Sequence, residues 1–363
     1  MKLNSKIYVA GHRGLVGSAL VKNLNKKGYH NIIGRTHSEL DLTDTMAVKD
    51  FFDKEKPEYV FLAAAKVGGI VANNTYRASF IYDNLMIQNN VIHQSYLHGI
   101  KKLLFLGSTC IYPKNCPQPM KEEYLLTDVL EYTNEPYAIA KIAGIKTCES
   151  YNLQHGTNFV SVMPTNLYGP NDNFDLEKSH VLPALIRKTH LGIALENNNW
   201  SIIDEDLNRL PIEGVSGKNS KKEKLDILNR YGITLSNQSE VTVEIWGSGK
   251  PMREFLWSED MADACVHLME HRNFSDTYSS NDLEIRNTHI NIGTGVDISI
   301  KDLALLIKKL LNFKGNFSFN SNKPDGTLKK LTDVTKLNDL GWKHKVNLSD
   351  GILLLYNWYK SHV

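Results

Sequence analysis

Three glycines constrain the start of this chain more than any other feature. The apolar run at residues 6–10 (KIYVA) leads into GHRGLVGSAL, with Gly11, Gly14 and Gly17 three residues apart, and a helical pattern occupies residues 17–26. A strand that turns on glycine straight into a helix aims helix N-terminal amides at the place where a pyrophosphate binds. Gly11 permits the tight turn, Gly14 allows close approach of backbone to ligand, and Gly17 lets the helix pack against the strand.

The rest of the first half extends this pattern. Apolar runs at residues 31–34, 59–63, 102–106 and 159–163 alternate with helical stretches such as 84–97. Short continuous apolar strands separated by helices predict an α/β fold, with a doubly wound parallel sheet covered on both faces. The length of 363 residues leaves room for a second, smaller α/β domain. In the second half, residues 241–246 and 289–292 read as strands and 300–311 and 348–359 as helices. Residues 191–240 are polar, asparagine-rich and partly basic. They read as a partly helical, mobile surface insertion.

Composition narrows the function classes. Forty-two basic against 40 acidic residues give a net charge of +2, without the basic excess of a nucleic-acid binder. No apolar run reaches the 18 or so residues of a membrane span, and the N-terminus lacks a secretory apolar region with a cleavage site. Cys110, Cys116, Cys148 and Cys265 form no C-x-x-C pair, so neither a metal site nor a disulfide framework is expected. These features predict a soluble, cytoplasmic protein of about two domains and leave its activity open.

The second strand ends in Gly34, Arg35 and Thr36, where a dinucleotide site commonly has an acid for the ribose hydroxyls. Arg35, together with Arg13 of the glycine loop, suits a 2′-phosphate, so NADP is expected over NAD. Asp41 is a candidate for the adenine amine. Tyr137 and Lys141 in YAIAK are four residues apart and share one helix face. A lysine cation there is expected to lower the tyrosine pKa and make it a proton donor and acceptor. Ser108 follows the strand at 102–106, at the end of the sheet where ligands bind in such folds. The chemistry implied is hydride transfer between a nicotinamide and a carbonyl or alcohol.

The glycine spacing fits short-chain dehydrogenases. The segments LAAAKVGGIVANNTY, FLGSTCIYP, NEPYAIAKIAGIKTCESYN, VMPTNLYGPNDNF, SHVLPAL, WGSGKPMREFLW, NIGTGVD and KPDGT extend the resemblance from residue 6 to the C-terminus, interrupted mainly at 191–240. Together they resemble the GDP-L-fucose synthase family, 3,5-epimerase/4-reductases of GDP-4-keto-6-deoxy-D-mannose in the extended short-chain dehydrogenase/reductase superfamily.

The resemblance implies a reductase triad of Ser108, Tyr137 and Lys141, with Cys110 as base and His180 as acid in epimerisation. NADP(H) contacts are implied at Gly11, His12, Arg13, Gly14, Leu15, Val16, Gly17, Arg35 and Asp41. Others are implied at Leu106, Gly107, Ser108, Thr109, Tyr137, Lys141, Pro164, Thr165, Asn166, Leu167 and His180. GDP-sugar contacts are implied at Lys188, Trp246, Arg253 and Asp325, and no metal is implied. Residues 1–170 and 254–296 would form the NADP-binding domain and 171–253 and 297–363 the GDP-sugar domain. A homodimer through the helices at 84–97 and 137–153, and a product destined for surface polysaccharide, are also implied.

Three departures stand out. His37 occupies the position of a second adenosine-phosphate arginine, Lys188 replaces a substrate-binding arginine, and 191–240 is longer than the family connection. They raise an alternative substrate, a GDP-4-keto-6-deoxy-heptose reduced at C4 with or without C3 epimerisation. A dehydratase or 4-epimerase with tightly held NAD is the enzymatic rival. A non-catalytic nucleotide-binding protein is the reading from another class, opposed by retention of Ser108, Tyr137 and Lys141.

Overall fold

The computed structural model describes residues 1–236, 240–323 and 325–362. Residues 237–239 of the 191–240 segment and Pro324 of KPDGT lie outside the described residues. In chain order the elements begin β1 (Ile7–Ala10), α1 (Leu15–Lys26), β2 (Ile32–Ile33), α2 (Thr45–Glu55) and β3 (Tyr59–Leu62). Next come α3 (Ile70–Thr75), α4 (Arg77–Leu97), β4 (Lys102–Leu106), α5 (Glu135–His155), β5 (Phe159–Pro164) and β6 (Asn166–Tyr168). Then follow α6 (Val181–Glu196), α7 (Trp200–Arg209), α8 (Lys221–Arg230), β7 (Ile233–Leu235), β8 (Val241–Trp246) and β9 (Met252–Trp257). The chain closes with α9 (Ser258–His271), β10 (Ile290–Ile292), β11 (Asp297–Ser299), α10 (Ile300–Leu311), β12 (Asn316–Asn320), β13 (Lys329–Lys330), α11 (Thr335–Asp339) and α12 (Leu348–His362).

The chain divides into two compact units, and the first comprises Met1–Asn171, Glu254–Val296 and Leu331–Val346. Leu331–Val346 thus packs with the first unit rather than with the other residues of 297–363, because Leu337, Leu340 and Trp342 join its core. A six-stranded sheet runs β2-β1-β3-β4-β5-β10, and the paired strands are parallel. Successive side chains of a strand face opposite sides, so each buried strand feeds two cores. Ile7 and Val9 enter the core beneath α1 and α9, while Tyr8 and Ala10 enter the one beneath α2, α4 and α5. The order reverses at β1 and β3, which opens a crevice at the carboxyl ends of those strands. The loops after β1, β4 and β5 carry the sequence candidates of this unit to that edge.

The second unit comprises Asp172–Arg253, Asp297–Lys330 and Asn347–Val363. Its three-stranded sheet pairs β12 parallel and β7 antiparallel to β8. The segment expected to be a mobile insertion is instead packed. Leu191, Ala194 and Leu195 of α6 share one buried core with Ile203 and Leu207 of α7, Ile227 and Leu228 of α8, and Val241 and Val243 of β8. The asparagine run at 197–199 supplies a cap, since the Asn199 side chain accepts the Ile202 N–H at the start of α7. Ser220 and Glu223 form a reciprocal capping box on α8.

Candidate active site

The glycine loop has the geometry that close backbone approach demands. Gly11 adopts φ +80°, and a Cβ on it would lie 2.8 Å from the Ala63 carbonyl oxygen. A Cβ on Gly17 would lie 2.0 Å from the Gly11 carbonyl oxygen. Helix α1 begins after an extended Gly14, with no side-chain cap and no acid in its first turn. Its leading N–H groups and positive dipole end therefore suit an anionic pyrophosphate. His12 lies against Gly34 at the end of β2, and its Nδ1 is buried without a partner. The loop fits a dinucleotide on these observations.

Arg35 donates from Nη1 to the Gly34 carbonyl at 2.8 Å and from Nη2 to Glu55 at 2.6 Å, with its guanidinium over Phe51. Glu39 is held below the usual carboxylate range by the Thr36 N–H and hydroxyl, and further by Arg35 and Arg13. Both arginines thus act on one exposed spot beyond β2. Asp41 is committed in part to its own turn, accepting the Thr43 N–H at 2.9 Å and hydroxyl at 2.8 Å.

The loop after β4 carries Ser108, whose hydroxyl oxygen accepts the Cys110 N–H at 3.4 Å at the start of a single 3₁₀ turn. Lys141 on α5 is buried, donates to the Leu106 carbonyl at 2.8 Å and lies 4.9 Å from the Phe105 ring centre. Its Nζ is 5.6 Å from the Tyr137 ring centre. Burial brings Lys141 down to about 8, while negative charge on Cys110 pushes the other way. The expected lowering of Tyr137 is overturned, because burial and then Cys110 raise its pKa. The phenol is consequently neutral at rest and competent to donate. Lysine and tyrosine do share a helix face, and Cys110 acts electrostatically on both.

Beyond β5, the Thr165 N–H donates to the Ile292 carbonyl at 3.0 Å. The Asn166 amide and the Thr165 hydroxyl donate to the Glu254 carbonyl at 2.9 and 3.3 Å. Sequence reasoning passed over Glu254. Its carboxylate is fully buried and accepts from the N–H groups of Thr294, Gly295 and Thr332 and the Thr332 hydroxyl. An acid directly before the apolar run FLW of β9 was the available signal.

The second unit gathers the other candidates around β8 and β9. Trp246, at the end of β8, is 63% exposed, and Lys323 lies 5.0 Å from its ring centre. Asp325 accepts the Ser248 N–H at 2.8 Å and its hydroxyl at 2.7 Å. Arg253 donates to the Thr327 carbonyl at 2.6 Å, and burial lowers its pKa while Asp325 opposes that shift. Lys188 on α6 donates to the Glu244 carbonyl at 3.0 Å, and burial brings its pKa to about 8. Lys323 and Ser248 are additions that the motif spacing did not single out. His180 forms the exposed N-cap of α6, and the protein around it holds its pKa below the ordinary histidine value. Among the described residues no acid, histidine or cysteine cluster suits a metal ion, no disulfide forms, and no helix is long and apolar enough to cross a membrane.

Comparison with known proteins agrees with this geometry. The NAD dependent epimerase/dehydratase family model matches residues 7–203 and 215–293. Putative GDP-L-fucose synthase 2 of Arabidopsis thaliana is 51% identical over 363 residues, covering 100% of this chain and 94% of that protein. A GDP-6-OMe-4-keto-L-xylo-heptose reductase of Campylobacter jejuni is 48% identical with a TM-score of 0.92, covering 100% of this chain and 99% of that one. The GDP-mannoheptose C4 reductase MlghC of Campylobacter jejuni, solved with NADP bound, is 48% identical with a TM-score of 0.86 and 99% coverage of both chains. The protein is an NADP-dependent oxidoreductase and epimerase. It belongs to the NAD dependent epimerase/dehydratase family, within the GDP-L-fucose synthase group.

Proposed function

We propose that the protein reduces C4 of a GDP-4-keto-6-deoxy-sugar after epimerising C3 and C5, forming GDP-L-fucose or a related GDP-6-deoxy-sugar. The observation that carries this reading is the common setting of Ser108, Cys110, Tyr137 and Lys141. The thiol acts on both members of the Tyr–Lys pair, and the serine oxygen holds the Cys110 N–H. A C4 ketone acidifies the hydrogens at C3 and C5. Cys110, as thiolate, removes such a proton to give an enolate, and His180 acts as the acid that returns one to the opposite face. Ser108 then donates to the C4 oxygen, and neutral Tyr137 delivers its proton as carbon is reduced. Protonated Lys141 stabilises the tyrosinate as it forms. Bound NADPH supplies the hydride, held by the 11–17 loop, Arg35, Asp41, 106–109 and 164–167.

Lys188, Trp246, Arg253 and Asp325 take the GDP part. The indole stacks on the base, the two cations meet the diphosphate, and the carboxylate accepts hydroxyl or amine hydrogens. The reading extends to a cytoplasmic homodimer serving surface-polysaccharide synthesis. Exposed Tyr82 and Leu97 on α4 and Ile139 and Leu153 on α5 support pairing through these helices. A heptose substrate is the second reading, favoured by Lys188 in place of the family arginine and by the two Campylobacter reductases.

Purified enzyme, NADPH and either the hexose or the heptose GDP-4-keto-sugar decide between them. One NADPH consumed per hexose, with deuterium entering at C3 and C5 from heavy water, is the expected result. Faster turnover of the heptose establishes the second reading, and no NADPH oxidation with either sugar refutes both. Tyr137→Phe should lower reduction by about 10² to 10⁴ while leaving deuterium exchange measurable. Cys110→Ser should lose exchange instead.

A further inference from the structure

A buried ion pair joins the 191–240 segment to the preceding part of α6. Arg187 of α6 is 1% exposed and Asp206 of α7 is 3% exposed. The guanidinium donates to Asp206 Oδ1 through Nε at 3.0 Å and Nη2 at 2.8 Å. Nη1 donates to the Phe174 carbonyl at 3.2 Å, and Nη2 also donates to the Leu210 carbonyl. The second Asp206 oxygen accepts the Tyr359 hydroxyl of α12. One guanidinium therefore ties α6 to α7, to the end of α7 and to the stretch that leads into His180.

A buried ion pair is poor value for stability alone, since apolar residues of similar volume commonly do as well. What it adds is direction, because two guanidinium donors converge on Asp206 Oδ1 while the Tyr359 hydroxyl holds Oδ2, so carboxylate and guanidinium are fixed against each other. Consecutive helical residues stand about 100° apart around the axis, so the rotation that seats Arg187 also aims Lys188. Lys188 reaches the Glu244 carbonyl on β8, two residues before Trp246. We propose that Asp206 is a positioning residue: through Arg187 it sets the rotation of α6 and so the placement of Lys188 at the GDP diphosphate. The 191–240 segment is thus a brace for the substrate helix. This rests on the proposed role of Lys188 as a diphosphate contact.

The test uses full-length enzyme with the accepted GDP-4-keto-sugar, and reads KM for sugar and for NADPH beside the melting temperature. Asp206→Asn keeps the volume and removes the charge, and should raise the sugar KM about tenfold with the NADPH KM unchanged. Tyr359→Phe, a milder change that leaves the ion pair, should raise the sugar KM about threefold and decides the matter where Asp206→Asn does not fold. Asp204→Asn breaks the Lys224 pair in the same segment without touching Arg187, and should lower the melting temperature at unchanged KM. An unchanged sugar KM in the folded Asp206 and Tyr359 variants overturns the proposal, as does an equal rise in Asp204→Asn. Lys188→Ala separates the two layers. If it leaves the sugar KM unaltered, the diphosphate role itself fails; if it raises KM while the other variants do not, only the brace fails.

Discussion

Gly17→Ala sets two effects against each other, and the structure decides which prevails. Alanine is the better helix former by about 1 kcal/mol, so propensity alone predicts a more stable enzyme. The new Cβ, however, would sit 2.0 Å from the Gly11 carbonyl oxygen and 2.6 Å from its carbon. Ordinary contact begins at 3.4 Å, so backbone must part from backbone by 3.4 − 2.0 = 1.4 Å. Helix α1 cannot drift outward freely, because Ala19, Leu20 and Leu24 are buried beneath it. Overpacking of this kind costs about 1–3 kcal/mol; less the propensity gain, a net loss near 1 kcal/mol lowers the melting temperature of a chain this long by about 1–2 °C. The larger effect falls on the cofactor, since the helix N-terminus and the loop proposed to hold the pyrophosphate are pushed apart. Wild-type enzyme at 100 times its dissociation constant gains about 2.7 kcal/mol from bound ligand. In Gly17→Ala most of that NADPH-dependent stabilisation should vanish, and NADPH affinity should fall about 100-fold by fluorescence titration. A variant that melts higher than wild type and binds NADPH normally would refute the steric argument.

Two further outcomes concern charge. Lys188 is depressed to about 8, so its cation is present below that pH and lost above it. At pH 9 Lys188→Arg should therefore show a sugar kcat/KM about tenfold above wild type, because wild-type lysine is then mostly neutral. At pH 7 the two should be close, and superimposable pH profiles would exclude Lys188 from the site. Arg35→Ala removes a charged donor worth about 1.5–3 kcal/mol and should lower kcat/KM for NADPH about 10- to 150-fold. The NADH value should stay within about twofold; an equal loss with both cofactors would place the effect on the Glu55 ion pair rather than on a 2′-phosphate.

Much of the first unit was legible because its signals are local. A five-residue apolar strand, a glycine turn and an amphipathic helix each declare themselves within a dozen residues, and their alternation implies the parallel sheet. Tyr137 and Lys141 were legible for the same reason, since four residues along a helix is a fixed geometry. The sign of the Tyr137 shift was not. It depends on how much protein surrounds the ring, and only the packing of α5 shows that burial, with Cys110 beside it, raises the phenol.

Residues 191–240 mark the same boundary. Polar composition and three consecutive asparagines describe a surface, and they do so correctly for the outer faces of α7 and α8. The few apolar residues between them meet only when three helices and a sheet converge, and Asp206 finds Arg187 only then. Chain order determined the sheet, the glycine loop and the Tyr137–Lys141 spacing, because those are written in short-range periodicity. Tertiary structure alone decided the burial of Glu254, the upward shift of Tyr137 and the packed core of the 191–240 segment. Desolvation and long-range hydrogen bonding belong to neighbours that are distant along the chain.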